Sequence, residues 1–253
     1  MASPTIDPIK SRFLEDFESW RHFHARTRGG TRWYTFREAL IELLGMADPR
    51  TALAIVETGC VRVRDDHGAG YSTILFDQFS GWAGARDLRI RVDSVDVSRE
   101  NVRFCRRELR PGTTVRLHVG DSVAWLKRRT EPIDLLYLDS ADYPYPEIFG
   151  AFTEGRSDQA STDYIENVVD PALIWERCST AIEKCQMHAL EELLAAEERI
   201  PRGGLVLVDD WGVPCGGKAG LARDYMRRNG FHLICEAYQT LWRKGSAGHR
   251  PEA

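Results

Sequence analysis

The chain has 253 residues, 43% of them hydrophobic and 28% charged, an ordinary globular composition with enough apolar material for one sizeable core plus appendages. A formal net charge of −4 argues against a protein that holds nucleic acid by neutralising phosphates. No apolar run approaches bilayer-spanning length, and the first ten residues lack the charged-then-apolar layout of a secretory signal. The six scattered cysteines contain no C-x-x-C pair, so reduced thiols in a cytoplasmic protein are expected, without a disulfide framework, a structural zinc site or a membrane partner.

In chain order, Asp7-Pro8 offers a cap and a first-turn proline, and Ile9, Phe13, Phe17 and Trp20 follow at helical spacing. Arg28-Gly29-Gly30 breaks the pattern before a second helix that carries Phe36, Leu40, Leu43 and Leu44. Residues 1–50 therefore read as a helical cap and 51–253 as the main domain. From Thr51 on, short apolar runs alternate with amphipathic helices: 52–57, 88–97, 114–119, 133–138, 204–208, 231–238 and a last one near 240–243. Strands of this kind predict an α/β fold, a Rossmann-like doubly wound and mostly parallel seven-stranded sheet. The stretch 143–186 breaks the rhythm, mixing Tyr143, Tyr145, Phe149, Phe152, Tyr164 and Trp175 with a polar patch at 154–162. An insertion this long after the fourth strand is expected to act as a substrate lid. The tail 245–253 is expected to fray.

Ligands of open α/β sheets bind beyond the carboxyl ends of the strands. The first strand ends in Glu57-Thr58-Gly59, and Gly68-Ala69-Gly70 then precedes a helix opened by Tyr71-Ser72-Thr73. Asp96 ends the second strand, 26 residues beyond Gly70, where a carboxylate can take both hydroxyls of a ribose. Gly120-Asp121-Ser122 follows the third strand; Asp121 suits an adenine amino group, with Ser122 capping the next helix. The eight residues between Gly59 and Gly68 make a loop too wide for a pyrophosphate cradle, and no G-K-[ST] loop exists. An adenosine-bearing ligand without pyrophosphate fits better, S-adenosylmethionine being the common one.

With these motifs the chain resembles class I S-adenosylmethionine-dependent methyltransferases over roughly residues 51–243, on Glu57-Thr58-Gly59, Gly68-Ala69-Gly70, Ser94-Val95-Asp96, Gly120-Asp121-Ser122, Leu138-Asp139 and the run from Gly203 to Asp210. The resemblance implies that Glu57 and Gly59 lie near the methionine part of the cofactor, Asp96 near the ribose, Asp121 near the adenine and Asp139 beside the methyl group. Asp139, ending the fourth strand, and Asp209-Asp210, ending the fifth, would repel one another unless something positive lies between them. Mg²⁺ is the expected ion, orienting an acceptor hydroxyl. This layout is similar to the divalent-metal-dependent small-molecule O-methyltransferases of the catechol type and of the macrolide- and aminocoumarin-sugar type. The catechol type has a lysine three residues after the first aspartate. This chain has Asp142 there, which becomes a candidate base. His188, read as opening the amphipathic stretch after the insertion, is a second candidate, with His67 of the long first loop beside it. Trp211 is either a pocket floor or core packing.

The expected activity is O-methylation of a small hydroxylated metabolite, with a homodimer as the assembly considered. The rivals are a metal-free methyltransferase with an Asp or His base, an NAD-type oxidoreductase, and an inactive methyltransferase-like binding module.

Overall fold

The computed structural model of the chain describes residues 8–20, 31–48, 50–62 and 71–245. Seven strands form one sheet: β1 Leu53–Thr58, β2 Ile90–Asp96, β3 Val115–Val119, β4 Leu135–Leu138, β5 Leu205–Val208, β6 Phe231–Glu236 and β7 Thr240–Lys244. Their order is β3-β2-β1-β4-β5-β7-β6. The first five run parallel, while β7 pairs antiparallel with both β5 and β6. Every residue of β1, β4 and β5 is buried, which is why these strands read as continuous apolar runs, whereas the edge strands β3 and β6 alternate or open to solvent.

Nine α-helices are present among the described residues: α1 Pro8–Ser19, α2 Thr31–Gly45, α3 Ser72–Gly84, α4 Arg99–Glu108, α5 Ser122–Arg128, α6 Tyr145–Phe152, α7 Gln159–Asn167, α8 Pro171–Ala196 and α9 Gly220–Arg228. None is long and apolar enough to cross a membrane. On one face of the sheet, α1, α2 and α3 bury Phe13, Phe17, Trp33, Phe36, Phe76 and Phe79 against strand residues such as Leu53, Val92 and Leu207. On the other face, α5, α8 and α9 supply Leu126, Leu193, Ala222 and Met226. The first fifty residues thus contribute two helices to the sheet's own core. Phe17 stacks on Trp33 with ring centroids 3.8 Å apart, and Phe13 meets Phe79 edge to face at 5.6 Å.

The insertion does not end where the hydrophobic pattern suggested. Asp170 caps α8 by accepting from the Ala172 amide at 2.9 Å, Pro171 takes the first turn, and the helix then runs 26 residues through to Ala196. His188 therefore lies inside a long helix instead of opening one. Residues 143–185 build a small apolar cluster of their own from Tyr143, Ile148, Phe149, Ile165, Ile174 and Ile182, closed on the β5 side by Val213.

Since Phe17 is fully buried in the shared core, Phe17→Ala is expected to cost about 3–5 kcal/mol. Urea denaturation should lower the midpoint of one cooperative transition; an additional early transition would mean that the N-terminal helices unfold as a separate unit.

Candidate active site

The strand order reverses between β1 and β4, so their tips flank the switch point at which such sheets bind ligands. Gly59 leaves β1 with φ +88°, and a Cβ there would stand 2.8 Å from the Asp139 carbonyl oxygen, so the two strand exits touch through backbone. A cavity of about 1470 Å³ opens over these tips, lined among others by Gly59, Asp96, Asp121, Ser122, Asp139 and Asp210. Its far wall comes from the insertion and α8, including Tyr143, Tyr145, Met187 and His188.

At the β2 end, Asp96 accepts from the Ser98 amide at 2.7 Å, the Cys60 amide at 3.2 Å and the Asn101 side chain at 3.2 Å, which fixes its carboxylate at the cavity wall. Val97 beside it is 78% exposed and also lines the cavity. At the β3 end, Asp121 is the N-cap of α5, its Oδ1 accepting from the Ala124 amide at 2.7 Å. Ser122 is thus the first helical residue and not the expected cap; its hydroxyl lies 3.3 Å from His188 Nε2. Gly120 lines the cavity with no protein atom within 4 Å of where a Cβ would project, so its bare backbone leaves open space instead of serving packing.

Glu57 and Ser72 lie apart from this wall. Glu57 is fully buried, and its carboxylate is held by the hydroxyls of Ser72, Thr73 at 2.7 Å and Ser94 at 2.6 Å, so it ties the start of α3 to β2. Neither Glu57 nor Ser72 is among the described residues that line the cavity. Gly68, Gly70 and His67 lie outside the described residues. Burial raises the Glu57 carboxyl to about 7 despite those hydrogen bonds.

The three aspartates at the β4 and β5 tips do converge: one carboxylate oxygen from each of Asp139, Asp209 and Asp210 lies within 4.8 Å of the others. Two protein cations stand among them. Arg32, on the first turn of α2, donates Nε to Asp209 Oδ1 at 3.0 Å and Nη2 to Asp209 Oδ2 at 2.7 Å, and reaches Asp210 Oδ1 at 2.9 Å. Its guanidinium also lies 4.4 Å above the Tyr238 ring. Lys218, 2% exposed, places Nζ 2.5 Å from Asp139 Oδ1 and 3.3 Å from Asp210 Oδ2. Tyr137 donates to the remaining oxygen, Asp139 Oδ2, at 3.2 Å, and is itself held by Gln239, which accepts from Thr35 of α2 at 2.5 Å. Each of the six carboxylate oxygens therefore faces a protein donor. The trio does not fit the expected Mg²⁺ as it stands, because an ion would have to displace Lys218 or Arg32 from its oxygens.

Electrostatics follow this arrangement. Burial pushes Asp209 up, to about 8, with Asp139 and Asp210 adding to it against the pull of Arg32. Burial also acts to raise Asp210, but Lys218 and Arg32 outweigh it and hold that carboxyl below the usual range. Burial alone would lower Lys218; Asp139 and Asp210 overcome it and keep the ammonium above the ordinary lysine value.

The two other base candidates have partners of their own. Asp142 is largely exposed and pairs with Arg62 at 2.8 Å, a bridge between the exits of β1 and β4. His188 contacts Ser122 and lies 3.4 Å from Glu192, whose hydrogen bond raises the imidazole's pKa. Glu192 is buried, accepting from Thr58 at 3.1 Å and Ser140 at 2.6 Å, so His188 belongs to a polar network between the β3 exit and the sheet and not to the aspartate trio. Trp211 packs partly buried against the second core face, with Arg223 stacked 4.1 Å over its ring.

Removing Arg32 would leave Asp209 and Asp210 buried without their bidentate partner. Arg32→Met is expected to destabilise by about 3–5 kcal/mol, a fall of about 10 °C in Tm by calorimetry. Glu57 has a raised folded pKa, so what it contributes to stability is present below its ordinary value of 4.5 and is lost as pH rises through about 7. Between about pH 5 and about pH 8 the Tm of Glu57→Gln should accordingly fall less than that of the wild type, the gap corresponding to at most ~3 kcal/mol.

No protein-family model matches the chain, and no curated protein matches it in sequence. Among solved structures, it is similar to the O-methyltransferase NovP at 16% identity and a TM-score of 0.51, over 86% of this chain and 81% of NovP. It also aligns with the O-methyltransferase TomG from Streptomyces achromogenes, solved with SAM, at 15% identity and a TM-score of 0.40, over 96% of this chain and 92% of that one. A further match is the MycE methyltransferase of the mycinamycin biosynthetic pathway, solved with Mg, SAH and mycinamycin VI, at 13% identity and a TM-score of 0.48. That match covers 97% of this chain but 57% of MycE, so the chain spans little more than half of MycE's length. With the strand order, the antiparallel seventh strand and the likeness to NovP together, the chain has the fold of the class I S-adenosylmethionine-dependent methyltransferases.

Proposed function

We propose that the protein transfers a methyl group from S-adenosylmethionine to a hydroxyl of a small molecule held between the strand tips and the insertion. One observation carries this reading: a single cavity runs from Asp96, Val97 and Gly120 past Gly59 to Asp139, Asp210 and Lys218. At about 1470 Å³ it exceeds the roughly 300–1,000 Å³ of a one-ligand site, leaving room for cofactor and acceptor together.

The residues present fit the cofactor. Asp96, already oriented by three donors, would take the ribose hydroxyls, and Asp121 the adenine amino group. Exposed Val97 offers apolar cover for a flat base, and Gly120 leaves the space beside it. When bound, the cofactor supplies an electrophilic methyl on a sulfonium. The chain's own part is to hold the acceptor hydroxyl over the β4 and β5 tips and to receive its proton. Asp139 is the base best placed for this, being on the cavity wall with Tyr137 and Lys218 fixing its two oxygens. The Lys218 ammonium stabilises negative charge developing on the acceptor oxygen. Tyr143, Tyr145 and Met187 form the aromatic and apolar wall expected for a small-molecule acceptor.

The reading excludes an NAD-type oxidoreductase and an inactive module, and both are testable. Calorimetric titration should detect S-adenosylmethionine binding but no NAD binding, and Asp96→Ala should weaken the cofactor by about tenfold or more. Asp139→Asn should keep that affinity and lose about 10²–10⁴-fold in turnover. Preferential binding of NAD would overturn the assignment, and wild-type turnover in Asp139→Asn would remove Asp139 as base.

A further inference from the structure

Resting on this reading, we infer that Lys218 is the fixed cation of the reaction centre: its ammonium stands in the position among Asp139, Asp209 and Asp210 that a divalent ion would otherwise need, and methyl transfer here proceeds without a metal.

The first ground is occupancy. Arg32, Lys218 and Tyr137 between them direct a donor at every oxygen of the three carboxylates. Two cations set against three carboxylates leave at most one net negative charge to attract an ion. Lys218 takes its two anionic partners, Asp139 and Asp210, from that same trio, so an ion entering there would separate a buried ammonium from both of them.

The second ground is how the backbone delivers the lysine. After β5, Asp210 adopts φ +57°, and Cys215, Gly216 and Gly217 follow at φ +59°, +74° and +50°. Left-handed conformations at two residues with side chains are uncommon and persist only where the surroundings impose them. A Cβ on Gly217 would lie 1.6 Å from the Asp210 carbonyl oxygen, so the loop curls back onto its own start, and only glycine permits that approach. Gln186 of α8 clamps the curl by donating to the Cys215 and Gly217 carbonyls at 3.0 and 2.8 Å, and Tyr143 donates to the Pro214 carbonyl at 2.9 Å. The residue that emerges from this clamp is Lys218, buried and yet part of the cavity wall. A lysine serving only to neutralise charge could have come from any flexible segment; this one is held from three sides.

The test is direct cation binding by the full chain. Mn²⁺ is titrated into the wild type, Lys218→Gln and Lys218→Arg, and free Mn²⁺ is read by electron paramagnetic resonance, with and without S-adenosylmethionine. The wild type and Lys218→Arg should bind no Mn²⁺ below about 1 mM, whereas Lys218→Gln, with Asp139 and Asp210 released, should bind at least about tenfold more tightly. Stoichiometric Mn²⁺ binding by the wild type overturns the inference, even if Lys218→Gln does not fold. So does failure of a folded Lys218→Gln to gain binding, because Lys218 would then not be what keeps the ion out. S-adenosylmethionine affinity, measured in the same samples, reports on the methyltransferase reading separately: its absence removes that reading without altering the Mn²⁺ result.

Discussion

Three carboxylates cannot be buried at the tips of two adjacent parallel strands unless positive charge is buried with them. Asp139 leaves β4, Asp209 and Asp210 leave β5, and β4 pairs directly with β5, so the fold itself forces the three together. The remaining architecture of this end of the molecule supplies the cations. Arg32 comes from a helix that precedes the sheet in sequence, which makes the docking of α1 and α2 an electrostatic requirement as well as a hydrophobic one. The aromatic packing of Phe13, Phe17 and Trp33 holds that helix in place on the same face where Arg32 meets Asp209. Stability and site geometry are therefore coupled through one side chain.

The support behind the carboxylates is similarly distributed. Thr35, Gln239 and Tyr137 form a buried chain of hydrogen bonds from α2 through the turn before β7 to Asp139. Tyr238, next to Gln239, stacks under Arg32. Two consecutive residues of the turn between β6 and β7 thus brace both Asp139 and the guanidinium that pairs with Asp209 and Asp210, because β7 lies directly beside β5. Such networks strengthen only when every member is satisfied.

Much of this was readable in the sequence. Strand ends carrying Gly59, Asp96, Asp121, Asp139 and Asp209 are local features, and period and composition locate them because a buried parallel strand has to be apolar throughout. Helix α8 was also locally encoded, by Asp170-Pro171, but the aromatic mixture around it masked the cap. What remained hidden was non-local. Arg32 is one arginine among many at a helix start, and nothing in its neighbourhood signals a carboxylate 177 residues away. Lys218 did leave a trace, since two glycines directly before a lysine, a few residues beyond an acidic pair, mark a backbone that turns sharply back on itself. The same limit applies to Glu57, whose acidic-x-Gly setting suggested ligand contact while its hydroxyl partners come from β2 and α3. Spacing shows that a carboxylate sits at a strand end; it does not show which way its oxygens are turned.

Helix α8 has one more implication. Its 26 residues span about 39 Å, with the first half in the insertion's apolar cluster and the second half in the core beneath the sheet. A continuous helix anchored at both ends behaves as a girder, so the insertion cannot swing on it like a hinged flap without breaking backbone hydrogen bonds. On the proposed reading, an acceptor would be selected by the shape of the opening beside this helix, with Tyr145 and Glu147 of the shorter α6 and Gln159 of α7 on its wall.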